Sequence, residues 1–576
     1  MSVDGTSTTS AGLLAGYERW LAQLEPTITD VVLILRTDIV AMANEFAERF
    51  AFARVHVLGV RPQSPEDAAQ LHPRVTYRVG RALRDRLAYL KKVERPQILL
   101  DAGHPGRTEK LANLRSLFFF VAPGGCYIVE DLNRCGNPRF DDGKGENVLD
   151  ALTEVFATRA MSPRAALEQP ALAREIAEST ARIVLDDRVG YLVKSNHHLL
   201  KLREAVVDEV LTARYGSGWG DSLLVRPARQ FTSRATVTSH GAGPIPGGHK
   251  TWDVPARHLR HYNDVTCAAL QIAVHRDYVL PDSWHHPSMR VLGHRHLIYA
   301  NAHFARLKPK FSVGPPRRLE GSFYFFDTEY PNHYGHLTTE VLSRYWGWQH
   351  AVQQDPSLRA LVSARTTPAE LPGFQREIFG ALGIPLDSLV VIHPHDIVEV
   401  ERLTAATPQF ENPYYVDPEI AETWQQLLSG LRLDDSVPSP TRIFVSRRPT
   451  AKRHCHQTPQ LERFFAQQGF LVFYPEDLPY AEQARLFSRA EIIAGFGGSG
   501  MFTMQLAPTA RVILISGDGY NAENEHLIAA VNGNDLHYFW GRSDLRVDLH
   551  GLGEASRADF SFNLRAHKRA LRRLLA

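Results

Sequence analysis

The chain has 576 residues, too many for a single hydrophobic core, so two to four domains are expected. Hydrophobic residues make up 44% and charged residues 22%, the balance of a soluble globular protein. A net charge of +2 provides no global basic field that would hold nucleic acid.

The four cysteines, Cys126, Cys135, Cys267 and Cys455, lack CxxC spacing. That pattern is neither a zinc framework nor a disulfide scaffold, and it suits a reducing cytosol. Met1 to Gly12 has no basic start followed by an apolar core, so it does not read as a secretory signal. The longest apolar runs, such as Leu117 to Ala122, are far short of the ~20 residues that span a bilayer. The expectation is a cytoplasmic protein, at most peripheral at the inner face of a membrane.

From residue 13 to 205 short apolar runs alternate with amphipathic ones. Val31 to Leu35, Val55 to Val60, Gln97 to Asp101 and Cys126 to Glu130 read as buried strands. Ile39 to Phe50 and Arg81 to Lys91 read as helices. The alternation predicts a parallel sheet with helices on its faces. Residues 206–250 change character: Tyr215 to Gly220 and Gly241 to Gly248 are rich in glycine and proline and read as a linker or junction.

Histidines crowd the next section, at His258, His261, His285, His286, His294, His296 and His303. None forms the i, i+4 pair with a flanking glutamate of a helical zinc site, so structural or surface roles are expected for most, and no metal site. His294 and His296, at i, i+2, would share one face of a strand. Gly321 to Tyr330 reads as an aromatic strand, and Pro331–Asn332 as a turn before a helix. On that helix His336 and Glu340 are i, i+4, with Arg344 continuing the row. A histidine in a first turn, backed by a carboxylate, can take a proton from a substrate hydroxyl. An ordinary polar face with a Glu–Arg pair has the same spacing.

Thr441 to Arg448 reads as a strand ending in Ser446, Arg447 and Arg448. Guanidinium groups fork onto phosphate oxygens, so a strand end with two of them suits a diphosphate. Ile492-Ile493 reads as the end of a second strand, feeding into the glycine-rich stretch Gly495 to Gly500 and then an apolar helix from Met501. Strand, glycine-rich turn and helix N-terminus in series make an anion cradle. Glu525, after the strand Val512 to Ile515, is a candidate ribose or sugar contact. Ser561 to Ala576 reads as a basic terminal helix, expected to pack with its arginines in water.

Two resemblances follow from these motifs. Asp101, Gly103 and His104, then Pro123-Gly124-Gly125, then Glu130-Asp131, resemble the later half of a class I S-adenosylmethionine methyltransferase. The glycine-rich turn after the first strand of that class is missing: Arg36-Thr37-Asp38 stands there. A methyltransferase-like Rossmann domain without activity is therefore expected at 13–205, with S-adenosylmethionine not its ligand.

Residues 250–576 resemble glycosyltransferase family 61. Asn332, Tyr334, His336 and Glu340 match one motif and Phe444 to Arg448 a second. Leu478, Glu482, Gln483, Leu486 and Phe487 match a third, and Gly495 to Met501 a fourth, in the family's order. Many members have histidine at Gly497 and asparagine at Thr503.

The resemblance implies an α/β GT-B fold of two Rossmann-like halves, an acceptor half at 251–410 and a donor half at 411–576. It implies inverting, metal-independent transfer of a sugar from a nucleotide sugar to a hydroxyl of a polysaccharide or glycolipid, with no cofactor. His336 would be the base with Glu340 in support, and Asn332, His333 and Tyr334 would lie on the acceptor side. Arg447, Arg448, Gly497, Gly498, Ser499 and Gly500 would hold the diphosphate. The alternatives are a bifunctional methyltransferase–glycosyltransferase and a non-catalytic glycan-binding scaffold.

Overall fold

The computed structural model describes residues 28–103, 106–135, 145–186, 188–245, 250–309, 315–366, 370–434, 439–449 and 452–576, with a few isolated positions between them. His104 lies outside these residues. The chain divides into two compact units, one of residues 1–219, 277–281 and 290–313, the other of 220–276, 282–289 and 314–576.

The first unit is built on a seven-stranded sheet, β1 (Asp30–Leu35), β2 (Arg54–Gly59), β3 (Val75–Val79), β4 (Ile98–Ala102), β5 (Cys126–Val129), β6 (Thr180–Leu185) and β7 (Gly190–Lys194). Its order is β3-β2-β1-β4-β5-β7-β6. β1 to β5 pair in parallel, and the β6–β7 hairpin enters antiparallel to β5. Every residue of β1 is buried, as a central parallel strand with helices on both faces requires. The core gathers Val31 and Leu33, Phe46 from helix Ile39–Arg49, and Val55, Val57, Ile98 and Ile128.

At the end of β1, where the methyltransferase resemblance calls for glycine, Asp38 takes a left-handed φ of 52° before that helix. Asp101 is buried and accepts from Asn113 Nδ2 at 2.9 Å and Tyr127 Oη at 3.2 Å, so its lone pairs are used inside the sheet end. Burial, with Asp131 beside it, pushes the Glu130 carboxyl up to about 7.

Beside two short two-stranded sheets, the second unit holds two large ones among the described residues. One is mixed and runs in the order Ile272–His275, Arg257–Ala268, Ile397–Ala406, Arg317–Phe325, Arg359–Ser363, Leu389–Ile392. Arg257–Ala268 is antiparallel to Ile397–Ala406, while Arg317–Phe325 is parallel to it. The other sheet is formed by β8 (Thr236–His240), β9 (Arg442–Val445), β10 (Leu471–Phe473), β11 (Ile492–Phe496), β12 (Arg511–Gly517) and β13 (Asp535–Ser543). These pair in parallel in the order β8-β13-β12-β11-β9-β10.

β8 comes from the stretch expected as a linker. Residues 206–250 carry helix Val207–Tyr215 and strands Gly220–Arg226, Arg229–Thr232 and β8, because Val237 and its neighbours find a parallel edge on β13. Gly216–Trp219 forms a 3₁₀ turn before strand Gly220–Arg226, and residues 241–245 lead out of β8. His294 and His296 stand in the turn before strand Leu297–Tyr299, not on a strand. One apolar cluster joins Tyr324, Phe326 and Trp348 beside the mixed sheet to Val445, Ile493 and Val512 of the parallel one. The terminal helix Leu564–Leu575 buries Leu571 and Leu575 against Phe444, Phe465 and Ile513.

Candidate active site

In a parallel α/β sheet, ligands bind beyond the carboxyl ends of the strands. Arg447 follows β9 and the glycine-rich turn follows β11, and both stand at that edge. Facing them is the segment that begins with helix Tyr334–His336, runs as a π-helix over Leu337–Val341 and tightens to a 3₁₀ helix over Leu342–Gly347. A π-turn widens the helix by one residue and is a device that recurs at functional sites.

Gly335 makes the two motifs meet. A Cβ there would lie 2.9 Å from Ser499 Cβ and 3.2 Å from the Phe502 ring, so only glycine lets the helix start rest on the turn. Beside it, Tyr334 Oη and Thr503 Oγ1 share a hydrogen bond at 2.6 Å. The threonine that departs from the family pattern is therefore used.

His336 Nδ1 is bonded to Glu340 Oε1 at 2.5 Å. Glu340 is buried, and its other oxygen accepts from Thr328 Oγ1 at 3.1 Å and lies 3.4 Å from His285 Nδ1. Burial pushes the Glu340 carboxyl up, but the His336 hydrogen bond and the neighbouring imidazoles outweigh it and hold it at about 2. Glu340 is thus a carboxylate at neutral pH, able to orient His336 and stabilise its charged form. Tyr330 stacks on the His336 ring at 4.3 Å. Burial pulls His285 down, and pulls both His286 and His333 down to about 4, so the surrounding imidazoles are neutral at pH 7.

His285, His286, His333, His336 and Glu340 line a cavity of about 250 Å³ with Arg453, Gly498 and Ser499. A second cavity of about 590 Å³ is lined by Tyr334, Phe374, Arg447, Lys452, Pro475 and Gly500 among others. Arg453 and Ser499 line both. The glycine-rich turn therefore stands where a bound molecule would pass from one chamber to the other.

Within the turn each residue has its own task. Gly497 O accepts from Arg447 Nη2 at 2.8 Å. A Cβ at Gly497 would sit 3.1 Å from both Ser516 Oγ and Tyr520 Cε1, so a larger side chain would require these neighbours to give by a few tenths of an ångström. Gly498 has φ +132°, and a Cβ there would lie 2.6 Å from Arg447 Nη2. Its N–H donates to Glu525 Oε1 at 2.6 Å, and Tyr520 Oη donates to the same carboxyl at 3.0 Å. Ser499 opens the 3₁₀ helix Ser499–Leu506, whose first N–H groups have no partner inside the helix and can bind an anion.

Arg447 Nη1 donates to Arg453 O at 3.3 Å, and the Arg453 guanidinium stacks on Tyr520 at 5.3 Å. Burial and the charge of Arg453 pull Arg447 down to about 10. Two guanidinium groups side by side form a concentrated positive site.

Other expected site residues stand elsewhere. Arg448 is exposed, pairs with Asp477 and stacks on Tyr474 at 4.4 Å, lining neither cavity. Glu525 is fully buried beneath the turn and holds the backbone of Gly498. Asn332 takes a left-handed φ of 61° and donates to Glu370 O at 3.4 Å. From the sequence, His285 and His286 were expected in structural or surface roles, and neither Arg453 nor Tyr520 was expected in the site. The paired His285-His286 and the proximity of Arg453 to Arg447 were the signals at hand.

Residues 334–514 match the family model of glycosyltransferase 61. The match spans His336, Glu340, Arg447 and the whole glycine-rich turn.

No curated protein matches the chain. Solved structures similar to it include the MycE methyltransferase from the mycinamycin biosynthetic pathway in complex with Mg and SAH. That similarity is at 16% identity and a TM-score of 0.26, over 32% of this chain and 48% of that one. The same methyltransferase with Mg, SAH and mycinamycin VI gives 15% identity, a TM-score of 0.26 and coverage of 32% and 49%. The chain spans about half the length of these structures. No helix among the described residues is long and apolar enough to cross a membrane.

Proposed function

We propose that the glycosyltransferase domain transfers a sugar from a nucleotide sugar to a hydroxyl of a polysaccharide or glycolipid, with inversion and without a metal ion. The observation that carries this reading is the opening of the His336–Glu340 pair onto the same cavity as Arg453, Gly498 and Ser499. A base and an anion cradle across one small chamber are the two parts a direct displacement needs. The mixed and parallel sheets act as the acceptor and donor halves of a GT-B enzyme.

The nucleoside occupies the chamber of Tyr334, Phe374 and Pro475, where apolar walls flank Arg447 and Lys452. The diphosphate lies at Ser499, held by its N–H and by Arg447 and Arg453. The sugar enters the His-lined chamber. His336, oriented by Glu340, takes the acceptor proton as the acceptor oxygen bonds to the anomeric carbon. The bond from that carbon to the diphosphate breaks on the opposite face, and the two arginines stabilise the departing charge. His333 flanks the acceptor approach, whereas Tyr334, expected on that side, lines the nucleoside chamber.

The first unit binds no methyl donor, as the chain at Arg36-Thr37-Asp38 offers no glycine for close backbone approach. The protein works in the cytoplasm, where nucleotide sugars are made.

A panel of nucleotide sugars assayed for hydrolysis and transfer, with S-adenosylmethionine binding in parallel, tests this. Turnover of one donor without binding of the methyl donor is expected. Binding of no nucleotide sugar would favour a glycan-binding scaffold, and tight methyl-donor binding would overturn the assignment of the first unit.

A further inference from the structure

His285 joins the site from a segment far upstream in sequence, after the mixed sheet's first hairpin. Its ring packs against His286 at 4.1 Å and Tyr330 at 5.2 Å, which fixes its direction. Its Nδ1 is buried without a hydrogen-bond partner, 3.4 Å from Glu340 Oε2. That distance is long for an N–H···O bond, whose usual length is about 2.9 Å. Two ligands on one tetrahedral ion, each about 2.0–2.1 Å from it, stand roughly 3.3 Å apart. A ring nitrogen of His285, one of His336 and a carboxylate oxygen of Glu340 all lie within 4.8 Å of one another.

Two histidines and one glutamate with a fourth position open to a cavity form the donor set of an open zinc site. Imidazole ligands favour zinc over magnesium or calcium, which prefer oxygen. The carboxylate also has an outer partner, since Thr328 Oγ1 donates to Glu340 Oε2 at 3.1 Å, the type of contact that orients a metal-binding oxygen. The open position faces the cavity of about 250 Å³.

We propose that His285, His336 and Glu340 bind one Zn²⁺ ion, and that the bound ion shuts the site to the acceptor hydroxyl. Coordination takes up the His336 lone pair and the carboxylate oxygens that proton uptake needs free. The ion is therefore an inhibitor held by the proton-accepting pair rather than a cofactor, and the inference rests on His336 being the acceptor base. Helical spacing in the sequence hides the site, because its third ligand comes from a separate segment.

The test uses the full-length chain, stripped with a chelator and titrated with zinc chloride against a chromophoric zinc indicator. One ion per chain is expected, with two imidazoles and carboxylate oxygen at about 2.0–2.2 Å by X-ray absorption. His285→Ala and His285→Gln should each weaken binding at least ~10-fold, whereas His350→Ala, on the helix Trp348–Gln354 and outside the cavity lining, should not. Magnesium chloride should not compete. Hydrolysis of the nucleotide sugar by the stripped enzyme should persist and fall as zinc is added. Absence of zinc binding, or binding unchanged in both His285 variants, would overturn the site and leave the base assignment standing. Zinc binding intact but required for turnover would overturn the inhibitory role and the metal-free mechanism together.

Discussion

His336 has a carboxylate on Nδ1 and an aromatic face behind it, so its remaining freedom is to exchange a proton at Nε2. Replacing it with alanine should lower turnover about 10²–10⁴-fold while leaving donor affinity within a factor of about three, measured by steady-state kinetics and calorimetry. Arg453 and Arg448, both in the segment after β9, should separate. Arg453→Ala removes a charge-assisted contact to the diphosphate and should weaken donor binding by roughly 1.5–3 kcal/mol, about 10- to 150-fold. Arg448→Ala breaks only an exposed pair with Asp477 and should change donor binding little. Equal losses in both variants would show that the diphosphate spreads along the outer face.

Glu411 supplies a pH test of stability. It is buried, accepting from the Ser288 backbone and hydroxyl, and burial pushes its carboxyl up to about 7. A carboxyl raised above its unfolded value stabilises the fold fully below that unfolded value, about 4.3, and loses the contribution as pH rises towards 7. Stability should therefore decline by up to about 3 kcal/mol over that window. Glu411→Gln, which retains an acceptor for Ser288, should flatten this part of the denaturant-derived stability profile.

At the scale of elements, Gly335 couples the His336-bearing helix to the glycine-rich turn. Gly335→Ala forces a Cβ against Ser499 and Phe502, and should cost about 1–3 kcal/mol of stability. It should also reduce turnover more than donor binding, because the helix start is displaced from the turn.

What was legible at this scale was contiguous. The glycine-rich turn, the Ser-Arg-Arg strand end and the His–Glu helix each fit inside a dozen residues, and local spacing is enough to read them. His285 and Tyr520 reach the site through sheet topology, which no spacing rule encodes. The π-turn over Leu337–Val341 was equally hidden, since its sequence has the apolar pattern of an ordinary helix. The strand Thr236–His240 was masked by flanking glycines and by a parallel partner almost three hundred residues later. Glu525 was placed near the donor because it follows a strand in the donor half. Its task beneath Gly498 depends on its complete burial, which sequence does not report.

Across the molecule, the domain with a glycosyltransferase 61 segment and the preceding sheet are separate compact units with separate cores. In the first, five parallel strands run in the order β3-β2-β1-β4-β5, and Asp38 stands in left-handed backbone after β1. The terminal helix belongs to the second unit's core. Leu571→Ala there should cost about 2–5 kcal/mol and lower the second unit's melting temperature, read by differential scanning calorimetry.

The central claim is that His336 and the glycine-rich turn form one sugar-transfer site. Its most direct test is turnover of a nucleotide sugar by the wild-type chain and by His336→Ala, with donor affinity measured on both. The account predicts near-equal donor binding and a turnover lower by at least about 100-fold in the variant. Normal turnover by His336→Ala would contradict it.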